Sequence, residues 1–381
     1  MTFLRIATPA LLLALCSLFP LSAAADTVVD LNLYHVMQVR DTENDVSSLY
    51  TMATEASVSF KSPNEGNVRG DVAISFIDRY SKYQNTDINL WQPEFFIDRA
   101  YLRVRFPSFR LTAGKTRVGW GDGMLFNAAD VLFGSTDTGV NLQDQELRTS
   151  TKWLTSVNIP LGAFSFVEAV VVPPEALLTE SELWKTTLGA RYYTTVGSMK
   201  VETGAAYRAD HTSGNPTGQV VSPYIALQGN VGADWYVATS ANLAYPEDIA
   251  EELKDSWMLS AGLFHLVNVG WQGTLSFRLE TLVRPYGDWE ATTGPVKNYG
   301  LYLYPEISYA PNDTWNLSLR SIVSPLDMSA VVMVGGSWNV LQGFSFNGYV
   351  TANAGEPGDA FPWQSASLPS MSATVGMAWV Y

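Results

Sequence analysis

Charged side chains of opposite sign occur in two parts of the sequence that could face one another. Arg99, Arg103 and Arg105 share one parity of a segment that alternates apolar and polar residues. The segment 119–147 lacks such alternation and carries several carboxylates, at Asp122, Asp130, Asp137, Asp144 and Glu146. Opposed guanidinium and carboxylate groups orient polar solutes and exclude apolar ones, which is a filtering chemistry rather than a bond-breaking one.

We therefore predict a charged constriction, and the residues expected to line it are Arg99, Arg103, Arg105, Asp122, Asp130 and Asp137. In the alternative interpretation, these charges only neutralise one another within a packed polar interior.

Catalytic and metal-binding patterns are weak in this sequence. The three histidines, His35, His211 and His265, lie far apart. A hydrolase would need a histidine beside a serine or aspartate partner, and His211 in "RADHTSGNP" is the one candidate. No cluster of carboxylates and histidines suggests a metal, and Cys16 is the single cysteine. The sequence therefore predicts no enzyme, no catalytic or metal site and no cofactor.

The elements that would position these charges are strands. Apolar residues recur at every second position in blocks that include 29–39, 48–60, 96–106, 199–208 and 271–284. This alternation is typical of strands with one apolar face, and counting the blocks predicts about 18 of them. The connections alternate between short turns such as "VGS" and "VLQG" and longer loops such as 41–47, 81–93 and 119–147. Sorted connections of this kind indicate an all-β, antiparallel, up-and-down transmembrane barrel.

Composition and the first residues of the chain agree with an exported protein. Of the 381 residues 47% are hydrophobic and only 16% are charged. The net charge of −14 gives no support to nucleic-acid binding. Residues 1–25 combine Arg5, an apolar run and the ending Ala23-x-Ala25, which predicts a cleaved signal peptide. A membrane anchor and a lipoprotein signal at Cys16 are the alternatives. The remaining chain, 26–381, is predicted to form the barrel.

The last strand carries the clearest alternation. Val375, Met377, Trp379 and Tyr381 form an apolar parity, and the other parity is small or polar. We expect the apolar parity to face lipid and this strand to pair with the one that begins near Thr27, which would close the barrel.

The same ending resembles the insertion signature of bacterial outer-membrane proteins, through Thr374, Gly376, Trp379 and Tyr381. The chain as a whole resembles outer-membrane porins in size, strand number and loop order. A stretch similar to one found in several porin and exporter families comprises Gly114, Lys115, Trp120, Gly121, Gly123, Asn127 and Asp130. Ala129 stands where a proline is common in that stretch, and no subfamily is assigned.

The resemblance implies a protein of the bacterial outer membrane that is inserted by the barrel-assembly machinery. It also implies that loop 119–147 folds into the barrel and sets the size limit for small hydrophilic solutes that diffuse passively. Assembly as a homotrimer stays open. The alternatives are a non-conducting barrel that acts as an adhesin or surface-binding protein and, less favoured, a barrel hydrolase.

Overall fold

The chain forms a closed antiparallel barrel of 18 strands. The computed structural model describes residues 26–42, 45–62, 66–83, 89–144, 146–174, 185–209, 219–245, 249–292, 297–365 and 369–381. The predicted signal peptide, residues 1–25, and His211 lie outside the described residues. Each strand pairs with its sequence neighbours, and β1 pairs with both β2 and β19, so the sheet has no open edge. The predicted fold class and strand number are confirmed.

The first half of the barrel contains nine strands. They are β1 (Asp26–Thr42), β2 (Asp45–Lys61), β3 (Val68–Tyr83), β4 (Asn89–Arg105), β5 (Arg110–Thr116), β6 (Lys152–Pro160), β7 (Phe166–Val172), β8 (Thr187–Val196) and β9 (Met199–Ala209).

The second half contains β10 (Gln219–Asn230), β11 (Asp234–Ser240), β12 (Leu243–Tyr245), β13 (Met258–Val269), β14 (Gly273–Val283), β15 (Leu301–Asn312), β16 (Trp315–Ser324), β17 (Ser329–Leu341), β18 (Phe344–Ala354) and β19 (Met371–Val380). Both β11 and β12 pair with β10, so these two segments form one barrel strand that is interrupted at Ala241 and Asn242. One short helix, α1 (Ile249–Ser256), precedes β13. Within the described residues, no helix is long and apolar enough to cross a membrane.

The two ends of the barrel differ in their connections. At one end, here called the turn end, short turns join the strands. In the turn between β8 and β9, Gly197 adopts a φ of 63°, a conformation that glycine reaches without a Cβ clash. Longer connections lie at the opposite loop end. There the sequence prediction was wrong for 41–47, because β1 and β2 continue to within two residues of each other and form a tight hairpin. β3 and β4 extend likewise into the predicted loop 81–93.

A β-bulge changes the face assignment in β4. The pairing with β3 shifts between Ala73 and Ile74, so β4 carries one extra residue near Asp98. An inserted residue reverses which parity faces inward beyond it. Phe96 therefore pairs with Ser75 and does not share a face with Leu102, contrary to the uninterrupted alternation expected for 96–106.

Apolar side chains occupy two places. Those on the outer surface include the predicted parity of β19, where Val375 is 67% exposed. The buried ones form two clusters inside the barrel, between its wall and the segment that joins β5 to β6. Interior packing is thus concentrated around one connection.

Candidate functional site

The connection between β5 and β6, residues 117–151, lies inside the barrel and is called the pore loop below. Its hydrogen bonds reach strands around most of the circumference. The partners are Glu202 on β9, Glu280 on β14, Arg320 on β16, Thr351 on β18 and Thr374 on β19. One segment can touch strands so far apart only from within the lumen.

Glu280 binds the pore loop through three consecutive backbone N–H groups. Met124 N donates to Glu280 Oε1 at 2.6 Å, and the N–H groups of Leu125 and Phe126 donate to Oε2 at 2.8 and 2.9 Å. The carboxylate is 0% exposed and also accepts from Arg278 Nη1 at 3.3 Å. Charge-assisted bonds of this kind are about twice as strong as neutral ones, so Glu280 fixes the loop backbone.

A second anchor lies on β7, β8 and β9. Trp120 Nε1 donates to Glu168 Oε2 at 3.2 Å, and Gly121 N donates to Glu202 Oε1 at 3.0 Å. Arg191 joins the two carboxylates, with Nε 2.8 Å from Glu168 and Nη1 3.1 Å from Glu202. The wall carboxylates are therefore neutralised by Arg191 while they hold the loop.

Trp120 fits against a wall position that has no side chain. Its ring is fully buried and stacks on Tyr224 with 5.4 Å between centroids. A Cβ at Gly189 would lie 2.6 Å from Trp120 Cη2 and 3.0 Å from Leu132 Cδ2. This close approach requires glycine at position 189.

We expect Gly189→Ala to lower the free energy of unfolding by about 2 kcal/mol, because the methyl group displaces a packed indole. Denaturant unfolding of the refolded protein in detergent measures the change. Gly348→Ala is the matched control, since a Cβ at Gly348 meets no atom within 4 Å. Equal effects of the two substitutions would contradict the packing argument.

The structure separates the predicted loop carboxylates from one another. Asp130 is 2% exposed and forms an ion pair with Arg117, where Ser135 also contacts it. Asp137 is exposed and accepts from the N–H of Gly139 at 2.8 Å. For Asp122, burial within the barrel raises the pKa, with nearby Lys200 opposing that shift.

The predicted arginines lie on the inner side of β4, toward the turn end. Arg99 Nε is 2.9 Å from Asp71 Oδ1 on the neighbouring strand. The guanidinium of Arg103 lies 5.6 Å from the Tyr101 ring centroid. In the backbone register of β4 and β5, Arg105 lies opposite Arg110. Among the described residues, no ion pair joins these arginines to Asp122, Asp130 or Asp137.

An open space in the lumen lies on the other side of the pore loop. A cavity of about 1200 Å³ separates loop residues 138–144 from the inner faces of β17–β19 and β1–β4. Its charged lining comprises Asp30, Glu55, Arg79 and Asp144. None of the six predicted constriction residues is among its described lining residues.

The charges of the cavity lie close together. Glu55 is within electrostatic range of Asp30, Arg79 and Asp144, and Tyr34 hydrogen-bonds with Arg79. On the pore loop, Asp144 Oδ1 accepts from Asn141 at 2.9 Å, and its backbone oxygen accepts from Arg320 Nη1 at 2.5 Å. Burial within the barrel raises the pKa of Asp144, and the positive charge of Arg320 opposes that shift. Three carboxylates against one guanidinium give the cavity a negative balance.

Part of this lining is visible in the sequence. Asp30, Asn32 and Glu55 lie on the polar parities of 29–39 and 48–60, which alternation assigns to the lumen. The sequence does not show which strands the pore loop contacts. In the structure the loop reaches β18 and β19 and leaves β1–β3 uncovered.

Histidine and metal chemistry has little support among the residues that the structure describes. His35 and His265 are both exposed, and His265 Nδ1 lies 3.0 Å from the backbone oxygen of Gly232. Over the same residues, no group of three metal-ligating side chains comes together.

Comparison with solved structures identifies the architecture. OccK7 (OpdD) of Pseudomonas aeruginosa matches with a TM-score of 0.52 and 8% identity, over 94% of this chain and 99% of that one. OccAB3 of Acinetobacter baumannii matches with a TM-score of 0.52 and 10% identity, over 93% and 99% of the two chains. The chain has the fold of the bacterial outer-membrane porins.

The porin-like resemblance predicted from the sequence is thus confirmed at the level of fold. No protein-family model matches the chain, and no curated protein matches it by sequence. At such low identity the porin fold alone is shared, and a shared fold does not by itself determine function.

Proposed function

We propose that this porin-fold protein is a channel of the bacterial outer membrane for passive diffusion of small hydrophilic solutes. The observation that supports this proposal best is the polar cavity between the pore loop and the inner faces of β17–β19 and β1–β4. Wall carboxylates hold the loop against the opposite side of the barrel, so the open side is not filled by packed side chains. Transport of this kind needs neither a cofactor nor energy input.

Selectivity in this proposal comes from a charged constriction at the cavity. Asp144 on the loop stands across the lumen from Glu55 and Arg79, with Asp30 nearby. Charges that line a narrow path raise the local concentration of counter-ions. We infer a preference for small cations over small anions. Arg99, Arg103, Arg105, Asp122, Asp130 and Asp137 stay a competing prediction for the constriction.

Planar-bilayer recording of the refolded protein tests the channel. We expect discrete conductance steps in potassium chloride, and a reversal potential in a salt gradient that reports cation preference. A complete lack of conductance in correctly folded protein would contradict the channel and favour the adhesin or surface-binding alternative.

The cation preference should depend on pH. Because the pKa of Asp144 is raised, its negative charge is lost on acidification at a higher pH than that of an ordinary aspartate, whose pKa is about 3.9. The cation-to-anion permeability ratio should therefore begin to fall above pH 4. In Asp144→Asn the ratio should start lower and change less over that interval. An identical pH profile for both proteins would exclude Asp144 as the titrating group.

Insertion by the barrel-assembly machinery is part of the same proposal. Three residues of the predicted signal, Thr374, Gly376 and Trp379, lie on β19, and Tyr381 directly follows that strand. The backbone of Tyr381 exchanges two hydrogen bonds of 2.8 Å with Val29. Tyr381→Ala keeps those backbone bonds and removes only the ring. We expect it to reduce the amount of assembled protein in the outer membrane severalfold without affecting export. Val380→Ala is the control, and equal losses would argue against a specific terminal aromatic signal.

A further inference from the structure

One wall of the cavity is uncharged and rich in hydrogen-bonding groups. The residues of β18 that line the cavity are Ser345, Asn347, Tyr349, Thr351 and Asn353. They occupy every second position of one strand, and at about 3.3 Å per residue they extend over about 26 Å. Each carries an amide or hydroxyl group, and we call this row the neutral ladder.

Neighbouring strands widen the neutral ladder. On β17, Ser337 pairs with Asn347, and on β19, Ser372 and Thr374 pair with Thr351 and Tyr349. Beyond β19, the inner face of β1 adds Asn32 and Gln38. The charged lining groups lie on β1–β3 and the pore loop, whereas the described lining residues of β17–β19 carry no charge. The charged and the neutral sides of the cavity meet on β1, where Asn32 lies opposite Glu55 of β2.

Several of these groups have unused hydrogen-bonding capacity. Thr351 and Thr374 are engaged, since both bind the side-chain amide of Gln143 on the pore loop. By contrast, Asn32, Ser345 and Asn347 make no side-chain hydrogen bond to any residue that the structure describes. Such groups lose little when a solute replaces water, provided that the solute offers matching donors and acceptors.

We propose that the neutral ladder is a binding track for uncharged polyhydroxylated solutes of about the size of mono- and disaccharides. A side-chain amide presents a donor and an acceptor together, which matches a pair of adjacent hydroxyl groups. Anionic solutes are disfavoured by Asp30, Glu55 and Asp144, and apolar solutes cannot replace the hydrogen bonds of water. This inference rests on the proposed channel function and specifies its solute class.

The test uses the refolded full-length protein, with sucrose as the probe. Liposome swelling should show sucrose entry that saturates with concentration, and sucrose should reduce the potassium current in planar bilayers. Gluconate should enter more slowly than glucose, a neutral molecule of similar size.

In the variant Asn32→Leu/Asn347→Leu, which keeps the branched shape and the number of side-chain heavy atoms, sucrose entry at low concentration should fall about fivefold or more. Potassium conductance should stay within about twofold, because the path keeps its width and charges. Asn268→Leu is the matched control, an inward-facing asparagine of β13 that is not among the cavity-lining residues.

The outcomes separate the two proposals. Lack of potassium conductance in the wild-type protein would contradict the channel itself. Normal conductance with sucrose entry that does not saturate, or that the double variant leaves unchanged, would overturn the neutral ladder alone. An equal loss of sucrose entry and potassium conductance would also overturn it, by indicating a narrower path.

Discussion

Glu280→Ala is expected to lower the free energy of unfolding by about 4 kcal/mol and to release the pore loop from the wall of β14. The substitution leaves the N–H groups of Met124, Leu125 and Phe126 without their acceptor inside the barrel. It also removes one of the two carboxylates that form ion pairs with Arg278 among the described residues, and leaves Glu306 at 3.2 Å. Several unsatisfied groups in a water-poor interior account for the size of the effect.

Two measurements follow the release of the loop. The denaturant midpoint of the refolded protein in detergent should fall. Single-channel records should show several conductance levels for Glu280→Ala and one level for the wild-type protein. Glu280→Gln keeps one acceptor oxygen and should give an intermediate effect. Glu251→Ala, on the exposed face of α1, serves as the control. If Glu280→Ala has the same denaturant midpoint as the wild-type protein and a single conductance level, Glu280 does not anchor the pore loop.

Asp144→Lys should lower the cation-to-anion permeability ratio of the channel about tenfold. The wild-type cavity carries Asp30, Glu55 and Asp144 against Arg79, and the substitution balances the two signs. In a confined space of low dielectric constant, a change of two charges in the lining has a large effect on ion entry. Reversal potentials in a salt gradient measure the ratio.

Arg103→Glu provides the matched comparison. It also changes the charge by two, on the inner face of β4 where the sequence placed the constriction. Since Arg103 is not among the described residues that line the cavity, we expect a change in the permeability ratio of less than about twofold. A larger change in the permeability ratio for Arg103→Glu than for Asp144→Lys would indicate that Arg99, Arg103 and Arg105 line the constriction.

The barrel could be predicted because its strands obey a local rule. In β19, alternation alone separates Val375 and Trp379, which are exposed on the outer surface, from Thr374 and Gly376, which line the cavity. The failures came where that rule is interrupted. The bulge near Asp98 adds one residue to β4, and no composition signal marks it. The segment 41–47 is polar except for Val46, so it has the composition of a loop although it forms a hairpin.

The candidate site depended on contacts that local patterns do not contain. Carboxylates of the 119–147 segment were visible, but their partners were not. Asp130 turns to Arg117 within its own loop, whereas Asp144 reaches the open lumen. The difference arises from Glu202 and Glu280, which fix the loop against distant strands. Pairings between such widely separated residues follow from the closed barrel and not from spacing along the chain.

The bond between Met124 and Glu280 joins residues 156 positions apart, and this separation has a consequence for the order of folding. Synthesis produces the pore loop long before β14, so its backbone donors lack their acceptor in every intermediate that precedes β14. Contacts between distant residues form late, because a long chain must first be ordered. The lumen therefore acquires its final shape late in assembly. We expect the segment 117–151 to stay sensitive to protease until the barrel has closed.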